Sequence, residues 1–381
     1  MIYFDNAATS FPKPKSVVEA VTKSMLFYGA NPGRSGYEMS VKTSEKVYEA
    51  RCILNEFFNG YGEEYVSFTS NCTQALNYAV KGVLKLGDHA IISSLEHNSV
   101  ARPMEELKAK GIIDYDVFVV DKDEKITLDN FEKAFKKNTR LCVVTGVSNA
   151  FGDVLPIRKL AEIAHKHNVL FFVDGAQMAG HLPIDIKLTE IDCLCVPGHK
   201  GLLGPMGTGA FIHKGIDFKP IITGGTGTDS LSLVQKKSFP EYLESGTLNV
   251  PGICGLSAGV KYVQGRGIEE IGRLENEICN ELTYGLEKID GVRVYGRNDP
   301  KVYGPVVSFN VNDLHSETVA GILSQHSVAV RGGYHCAKLA HETYGTTEKG
   351  VVRISPSEKN SKKDINIILN LIRKIAFSKF I

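Results

Sequence analysis

The stretch IRKLAEIAHKHNVLFFVD (residues 157–174) decides the fold, because a helical pattern runs directly into a buried strand. Its first part carries apolar residues at helical spacing, and VLFFV (169–173) is apolar at every position, as in a strand covered on both faces. Comparable apolar runs, separated by helical segments, are YVSFT (65–69), AIISS (90–94), YDVFVV (115–120), RLCVVTGV (140–147) and DCLCV (192–196). This alternation predicts βαβ units and a mostly parallel sheet.

Length and charge limit the classes of protein that fit this sequence. The chain has 381 residues, 43% of them hydrophobic, which is enough for one large and one small domain. Its 44 basic and 43 acidic residues give a net charge of +1, so the whole chain carries no electrostatic signature of a nucleic-acid or anionic-membrane partner. A small or neutral substrate fits better.

The first residues and the thiols predict where the protein is located. MIYFDNAATS (1–10) lacks the basic and apolar parts of a secretory leader, and no apolar run reaches membrane-spanning length. Eight cysteines without tight or repeated spacing favour reduced thiols over a disulfide framework. These observations predict a cytoplasmic protein.

The sequence pattern changes near residue 250. A long helix pair begins there, and the short apolar runs VRVYG (292–296), VVSFNV (306–311), VAVRGG (328–333) and VVRIS (351–355) follow, with helices between and after them. We therefore predict a large domain over residues 1–250 and a smaller α+β domain over residues 251–381. The polar, glycine-rich segment 222–247 before the boundary is more typical of a functional loop than of a linker.

Two charged residues follow neighbouring buried strands. Asp174 ends VLFFVD, and Lys200 lies in VPGHKGLLGP (196–205), between the runs DCLCV and GTGAFI. Ligands gather at the carboxyl ends of such strands, and a buried carboxylate needs a cation or donor. A lysine that forms a Schiff base and an aspartate that keeps a pyridine nitrogen protonated are what pyridoxal phosphate requires. Alone, Asp174 has a turn cap as the less favoured alternative, whereas Lys200 alone is better explained as a surface turn residue. We expect the flanking glycines to let cofactor and backbone approach closely.

Two further segments add to this site. FTSNCTQALN (68–77) predicts a strand, a turn and a helix, whose first amides at Cys72 and Thr73 suit a phosphate. His97 in SSLEHNSV (93–100) again follows a strand, where an imidazole can lie over the ring of the cofactor. Helix capping by Thr73 and a structural role for His97 are the alternatives.

One cysteine is a candidate nucleophile. Cys336 lies in VRGGYHCAKLAHETYG (330–345), where the glycines suggest a mobile, exposed loop, and His335 beside it favours a reactive thiolate. The other seven cysteines are assigned to packing, with Cys193 and Cys195 on one face of a strand. A metal site at His335, Cys336 and His341 lacks the paired ligands of a closed zinc site, so no metal is expected.

Eight short motifs together resemble a known family. In chain order they are DNAAT (5–9), EHNS (96–99), SNAFG (148–152), VDGAQ (173–177), GHKGLLGP (198–205), ESGTLN (244–249), RGGYHCA (331–337) and VRIS (352–355). This order resembles class V aminotransferase-fold enzymes, especially group II cysteine desulfurases and selenocysteine lyases, over nearly the whole chain. The resemblance implies a fold type I pyridoxal phosphate enzyme with a seven-stranded, mostly parallel sheet in the large domain, and residues 1–15 packed against the small domain.

The resemblance also implies roles for individual residues. Lys200 would form the Schiff base, Asp174 would hold the pyridinium, Gln177 would donate to the phenolic oxygen, and His97 would stack on the ring. The phosphate would be bound by Thr73, His199, the amide of Cys72, and Thr247 from the partner subunit of a homodimer. The substrate, L-cysteine or a close analogue, would be held by Asn149, Ala8 and Arg353, the last through a two-pronged contact to its carboxylate.

The chain departs from the family pattern at three places. Pro197 stands where relatives often have serine, so we expect one side-chain contact to the phosphate to be absent, with either a lower cofactor affinity or substitution by Ser70 or Thr226. ANPGRSGYEMS (30–40) lacks a histidine common in relatives, and Tyr334 stands where a second histidine is frequent. These departures leave the fine substrate preference open.

The expected activity is that of a cysteine desulfurase. L-cysteine would become L-alanine, and Cys336 would carry the sulfur as a persulfide that a thiol or an acceptor protein removes. The alternatives are a selenocysteine lyase or another carbon-sulfur lyase, an aminotransferase of the same fold, and a catalytically idle sulfur carrier or scaffold. GGTG (224–227) does not open a helix after a strand, so a nicotinamide-dependent dehydrogenase is disfavoured.

Overall fold

A computed structural model of the chain describes residues 1–33, 35–296 and 303–377. Arg34 of the segment 30–40, and residues 297–302 and 378–381 of the predicted small domain, lie outside the described residues. The strands are β1 (Ile2–Tyr3), β2 (Val66–Thr69), β3 (Asp88–Ser93), β4 (Ile113–Phe118), β5 (Thr139–Thr145), β6 (Leu170–Asp174), β7 (Cys193–Pro197), β8 (Gly209–His213), β9 (Val292–Tyr295), β10 (Val307–Val311), β11 (Val328–Ala329), β12 (Arg331–Gly333) and β13 (Val351–Ile354).

The helices alternate with the strands in the first half of the chain. They are α1 (Lys15–Phe27), α2 (Glu38–Phe57), α3 (Cys72–Val83), α4 (Asn98–Ala109), α5 (Glu124–Lys133), α6 (Ile157–Lys166), α7 (Val250–Arg266), α8 (Ile268–Glu287), α9 (Ser316–Gln325), α10 (Lys338–Tyr344) and α11 (Lys362–Phe377). Among the described residues, no helix combines the length and apolar composition needed to cross a membrane.

The large sheet has seven strands in the order β2-β8-β7-β6-β5-β3-β4. Neighbours pair in parallel from β7 across to β4, whereas β8 runs antiparallel to both β7 and β2. The central strands are buried on both faces, as their unbroken apolar runs predict. The mostly parallel, seven-stranded sheet predicted from the sequence is confirmed.

A second sheet is antiparallel throughout, in the order β12-β13-β10-β9. The run VAVRGG, predicted as one strand, forms the two short strands β11 and β12, and β11 pairs in parallel with β1 near the start of the chain. Buried residues of α8, α9 and α11 form a core with this sheet, whereas buried residues of α7 join a core of the large sheet. The division at residues 250 and 251 remains a prediction.

The parallel strands bring the candidate residues to one edge of the large sheet. β6 ends at Asp174, and β7 ends at Pro197, three positions before Lys200. Helices α3 and α4, which follow β2 and β3, begin at Cys72 and Asn98. The carboxyl ends of parallel strands lie at one edge of a sheet. Residues that are far apart in the sequence, from Cys72 to Lys200, therefore come close together in space.

The loop that carries Lys200 packs tightly against the rest of the sheet edge. A Cβ at Gly201 would lie 2.3 Å from the carbonyl oxygen of Ala179 and 2.7 Å from Nε2 of His181. A Cβ at Gly198 would lie 2.1 Å from Oγ1 of Thr208. Protein atoms thus fill the space beside both glycines, which corrects the expectation that they are there to admit the cofactor: they allow the loop to pack.

We predict that Gly201→Ala lowers the free energy of unfolding by about 1–3 kcal/mol, because the backbone of Ala179 cannot move away from the added methyl group. The measurement is chemical denaturation at fixed pH. The control is Gly321→Ala on the exposed face of α9, where nothing lies within 4 Å of the added carbon and a gain of up to about 1 kcal/mol is expected. Equal stability of the two variants would contradict this packing role.

Candidate active site

A single cavity at the sheet edge brings together most of the residues predicted from the sequence. It contains about 490 Å³ of space not filled by protein atoms, including its opening to solvent. Its walls are formed by Asn71, Cys72, Thr73, Leu76, His97, Ser99, Thr145, Asn149, Asp174, Ala176, Gln177, Pro197, His199 and Lys200. Ala8, Thr247 and Arg353 are not among the lining residues.

Asp174 is buried, with an exposed fraction of 2%. Its Oδ1 accepts hydrogen bonds from the amide of Ala176 at 2.9 Å and from the thiol of Cys72 at 3.5 Å. Burial raises the pKa of the Asp174 carboxyl, while these two donors and the charge of Lys200 oppose the rise. The carboxylate therefore needs a positive partner in the cavity.

Lys200 lies in the same cavity as Asp174. Burial lowers the pKa of its amine, and the Asp174 carboxylate acts in the opposite direction. The guanidinium groups of Arg353 and Arg331 lower the pKa further. An amine whose pKa is lowered is more often unprotonated, which is the form that attacks a carbonyl or accepts a proton.

Arg331 is a candidate site residue that was not identified from the sequence. Its charge also lowers the pKa of His97 and His335, so it lies close enough to act on several groups of the site. The signal was present in the motif RGGYHCA, of which the arginine was not used.

Residues near the start of the chain donate several hydrogen bonds to the carbonyl of His199. It accepts hydrogen bonds from Oγ1 of Thr9 at 3.1 Å, from the amide and hydroxyl of Ser10 at 3.1 and 3.2 Å, and from Nζ of Lys13 at 2.7 Å. Ser10 also donates to the carbonyl of Lys200 at 3.0 Å. Burial lowers the pKa of the Lys13 amine to about 8. Residues 9–13 thus fix the backbone that carries Lys200, and no local pattern marks Lys13 for this role.

His97 caps helix α4. Its Nδ1 accepts the amide proton of Ser99 at 3.0 Å and lies 2.8 Å from the Ser99 hydroxyl. Burial, followed by the charge of Lys200, lowers the pKa of the imidazole to about 4. The ring is therefore neutral near pH 7, and with Nδ1 accepting, its proton lies on Nε2.

The end of the cavity near α3 has a different set of hydroxyls from the one predicted. Oγ1 of Thr73 lies 2.8 Å from Oγ of Ser99, and both residues line the cavity. Ser70 does not, because its hydroxyl is held by Gln74 at 2.6 Å on the exposed side. Thr226 lies in the exposed loop, 3.0 Å from the hydroxyl of Thr228. Ser99, rather than either suggested substitute, is the additional hydroxyl beside Pro197 and His199.

Gln177 lines the cavity and contacts the start of the chain, whereas Ala8 lies outside the cavity lining. Nε2 of Gln177 donates to the carbonyl of Ala7 at 2.9 Å, and its Oε1 is buried without a hydrogen-bond partner among the described residues. Ala8 follows in a turn, with its amide bonded to the carbonyl of Asp5. Burial and the charge of Lys200 lower the pKa of His199 to about 4, and its Nδ1 is also without a partner.

Arg353 and Asn149, predicted as a pair that grips a carboxylate, are engaged with other groups. Nη1 of Arg353 donates to the carbonyl of Asn149 at 2.9 Å, and Nη2 donates to Oδ1 of Asp5 at 3.0 Å. The amide of Asn149 donates to the carbonyl of His335 at 2.7 Å. Arg353 is 1% exposed and is not a lining residue of the cavity, but it contacts the backbone of Asn149, which is one.

The candidate nucleophile Cys336 is exposed and lies in a groove next to the cavity. The groove shares Thr73, His97 and Ser99 with the cavity. Cys336 has a φ of +57° and His335 one of +49°, so two consecutive residues with side chains occupy the left-handed region. The carbonyl of Cys336 accepts the amide of Asn98 at 2.7 Å, which fixes the turn to the start of α4.

His335 does not activate this thiol in the expected way. The residue is 2% exposed, and Nε2 of its ring lies 3.0 Å from the carbonyl of Val351. Burial holds the pKa of the imidazole well below its usual range, so the ring is neutral and offers no positive charge to a thiolate. Cys193 and Cys195 are fully buried, as predicted; of the other five, Cys52 and Cys254 are only partly buried.

We predict that His97→Asn flattens the dependence of stability on acid. A histidine with a pKa of about 4 in the folded chain and about 6.5 when unfolded takes up a proton on unfolding between these values, so stability is lost as the pH falls from about 6.5 to about 4. The loss through His97 amounts to up to about 3 kcal/mol. Asparagine keeps the cap but does not titrate.

The measurement is urea denaturation of wild type and variant at pH 7 and pH 5. His326→Asn, at the exposed end of α9, serves as the control and is expected to follow the wild type. An unchanged slope for His97→Asn would show that the imidazole is not held neutral.

Comparison with known proteins bears out the family suggested by the motifs. The chain matches the family model "Aminotransferase class-V" over residues 2–368. It is 35% identical to a "Probable cysteine desulfurase" of Methanothermobacter thermautotrophicus (98% of this chain, 94% of that protein) and 33% identical to one of Pyrococcus abyssi (99% and 95%). The apo structure of a cysteine desulfurase from Thermococcus onnurineus NA1 superposes with a TM-score of 0.92 at 34% identity, covering 98% and 94% of the two chains. With a match over nearly its whole length, the chain belongs to the class-V aminotransferase family.

Proposed function

We propose that this protein is a pyridoxal phosphate-dependent cysteine desulfurase that converts L-cysteine to L-alanine and takes up the sulfur on Cys336. The observation that carries the proposal is the joining of two sites: Lys200 and Asp174 line one cavity, and Cys336 lines a groove that shares residues with it. The two curated relatives named above, which match this chain over nearly their whole length, are each described as "Probable cysteine desulfurase".

The family implies pyridoxal phosphate, and the residues present fit it. The cavity offers an amine of lowered pKa, a buried carboxylate and a neutral imidazole, at Lys200, Asp174 and His97. Oε1 of Gln177 and Nδ1 of His199 are buried polar atoms without partners among the described residues, as expected where a polar ligand completes the site. When bound, the cofactor supplies an electron sink that stabilises negative charge developing at Cα of an amino acid.

Each residue around that group has a defined task. The carboxylate of Asp174 would accept a hydrogen bond from the protonated nitrogen of the ring. Burial raises the pKa of Asp174, and a positive partner of this kind would stabilise its charged form. Nε2 of Gln177, which uses one hydrogen on the carbonyl of Ala7, would donate its second hydrogen to the phenolic oxygen, and His97 would cover one face of the ring. Lys200 would anchor the group and, once released from it by substrate, would remove the Cα proton at its Nζ.

The phosphate contacts combine one residue that the sequence missed with those it predicted. Thr73, Ser99 and His199 line the cavity, and the amide of Cys72 lies at the start of α3, where the helix dipole favours an anion. Pro197 contributes no hydroxyl, and Ser99 lies at the hydroxyl position closest to Thr73.

The sulfur is transferred between two thiols. The Cys336 thiolate would attack the sulfur of the bound cysteine, so that a sulfur-sulfur bond forms as the carbon-sulfur bond breaks. The Cβ atom that loses sulfur would take up the thiol proton of the substrate, Lys200 would return a proton to Cα, and the product would leave as alanine while Cys336 carries a persulfide. The exposed position of Cys336 suits removal of this sulfur by a thiol or an acceptor protein.

A homodimer would complete the site. Thr247, in the ESGT motif, is exposed and lies outside this chain's cavity, as expected if it reaches the cavity of a partner subunit. Large apolar side chains that a second copy would cover are exposed at Met25, Leu26, Phe27, Leu231 and Leu233. The eight free cysteines support the proposed cytoplasmic location.

The proposal and its rivals predict different results for cysteine variants. With added cofactor and L-cysteine, Cys336→Ala should form alanine at least about 100-fold more slowly than wild type, because the nucleophile is lost. Lys200→Ala should lose both alanine formation and the visible absorbance of the anchored cofactor. Cys254→Ala, a partly buried thiol on α7, is the matched control and should resemble the wild type.

Other outcomes identify the alternatives. Undiminished alanine formation by Cys336→Ala would contradict the nucleophile role. Turnover of selenocysteine but not cysteine would favour a selenocysteine lyase, and alanine formed only with a keto acid present would favour an aminotransferase. A protein that stays colourless with added cofactor would favour an idle carrier or scaffold.

A further inference from the structure

The guanidinium of Arg353 is engaged by groups of the chain itself. Nη2 donates to Oδ1 of Asp5 at 3.0 Å, and Nη1 donates to the carbonyl of Asn149 at 2.9 Å. Nε is buried and has no partner among the described residues. Asp5 is the one carboxylate paired with Arg353 in the described part of the chain, and it takes the place that any other anion would need.

Backbone pairing fixes Asp5 beside Arg353. Asp5 forms a parallel bridge with Ser355, two residues beyond Arg353. On either side, the amide of Ser355 donates to the carbonyl of Phe4 at 2.7 Å, and the amide of Asn6 donates to the carbonyl of Ser355 at 3.1 Å. The ion pair is therefore set by the register of two chain segments 348 positions apart rather than by chance contact of side chains.

The two members of the pair differ in their access to water. The side chain of Arg353 is 1% exposed, whereas that of Asp5 is 22% exposed. Arg353 cannot leave its place without stranding a buried charge, whereas the partly exposed Asp5 carboxylate can turn towards water once another anion neutralises Arg353. An incoming anion can thus replace Asp5 while Arg353 stays where it is.

We propose that the carboxylate of Asp5 occupies the position on Arg353 that the substrate's carboxylate takes, and that substrate binding exchanges one carboxylate for the other. This inference rests on the proposed function, in which Arg353 binds the α-carboxylate of cysteine. Asp5 is then a specificity-determining residue: it keeps the buried cation neutralised in the empty enzyme and lowers the affinity for every carboxylate ligand.

The exchange has a consequence that a purely supporting role lacks. If Asp5 competes with the ligand, removing the charge of Asp5 leaves the charge of Arg353 without a neutralising anion, so carboxylates bind more tightly. If Asp5 only holds Arg353 in place, removing its charge loosens the guanidinium, and carboxylates bind less tightly. The two readings therefore predict changes of opposite sign.

The test compares two small ligands that do not react with an amine or with the cofactor. Calorimetry on the holoenzyme measures the binding of 3-hydroxypropionate, which has a carboxylate, and of 3-hydroxypropionamide, which has the same shape without charge. Asp5→Asn should bind 3-hydroxypropionate about 3- to 10-fold more tightly than wild type, the effect of losing one competing, partly exposed ion pair. Binding of the amide should not change.

Two further variants guard the result. Tyr3→Phe removes a hydroxyl that donates to the carbonyls of Asp5 and Thr9 in the same segment and should bind both ligands as wild type does. Asp5→Ser provides the same test if Asp5→Asn does not fold. In Asp5→Asn, the KM for L-cysteine should fall while kcat stays nearly unchanged.

Unchanged or weaker binding of 3-hydroxypropionate by Asp5→Asn and Asp5→Ser would overturn the exchange. Formation of alanine by wild type in that case would leave the proposed function standing. If instead wild type formed no alanine but Asp5→Asn bound the carboxylate more tightly, the exchange at Arg353 would stand and the desulfurase assignment would fail.

Discussion

The structure depends on placing two opposite charges, Lys200 and Asp174, in one cavity that removes both from water. Burial acts on the pKa of each group in the direction of its neutral form, and the attraction between the two acts against burial. Neither charge is stable there without the other or a ligand that takes its place. A group with both a carbonyl and a basic nitrogen would complement such a cavity, because the amine of Lys200 can react with the carbonyl and the carboxylate of Asp174 can pair with the protonated nitrogen.

The beginning of the chain links the parts of this site. Residues 9–13 hold the carbonyl of His199, the carbonyl of Ala7 accepts a hydrogen bond from Gln177, and Asp5 pairs with Arg353 of β13. The same segment contains β1, which pairs with β11 in a separate two-stranded sheet. Residues 2–13 thus contact the anchor of the lysine loop, the polar side of the cavity and the arginine.

Sequence reasoning found the residues whose position follows from strand order. Asp174 and Lys200 were predictable because apolar runs mark parallel strands, and the ends of parallel strands meet. Lys13 and Asp5 were not, because their partners lie 186 and 348 positions away and no periodic pattern connects them. Ser70 was misjudged for a local reason: its hydroxyl turns to Gln74, one helical turn on, rather than to the cavity. His335 was misjudged because the left-handed turn sends neighbouring side chains in different directions, one inward and one to solvent.

The left-handed turn at Cys336 sets a conflict between durability and chemistry at a single residue. A side chain in this backbone region costs about 1 kcal/mol or more, which glycine would not incur. Glycine at that position would relax the turn and strengthen the fold while removing the thiol. The backbone strain at Cys336 thus lowers the stability of the fold at the residue that would accept the sulfur. A variant with glycine at this position would be more stable but could not accept sulfur.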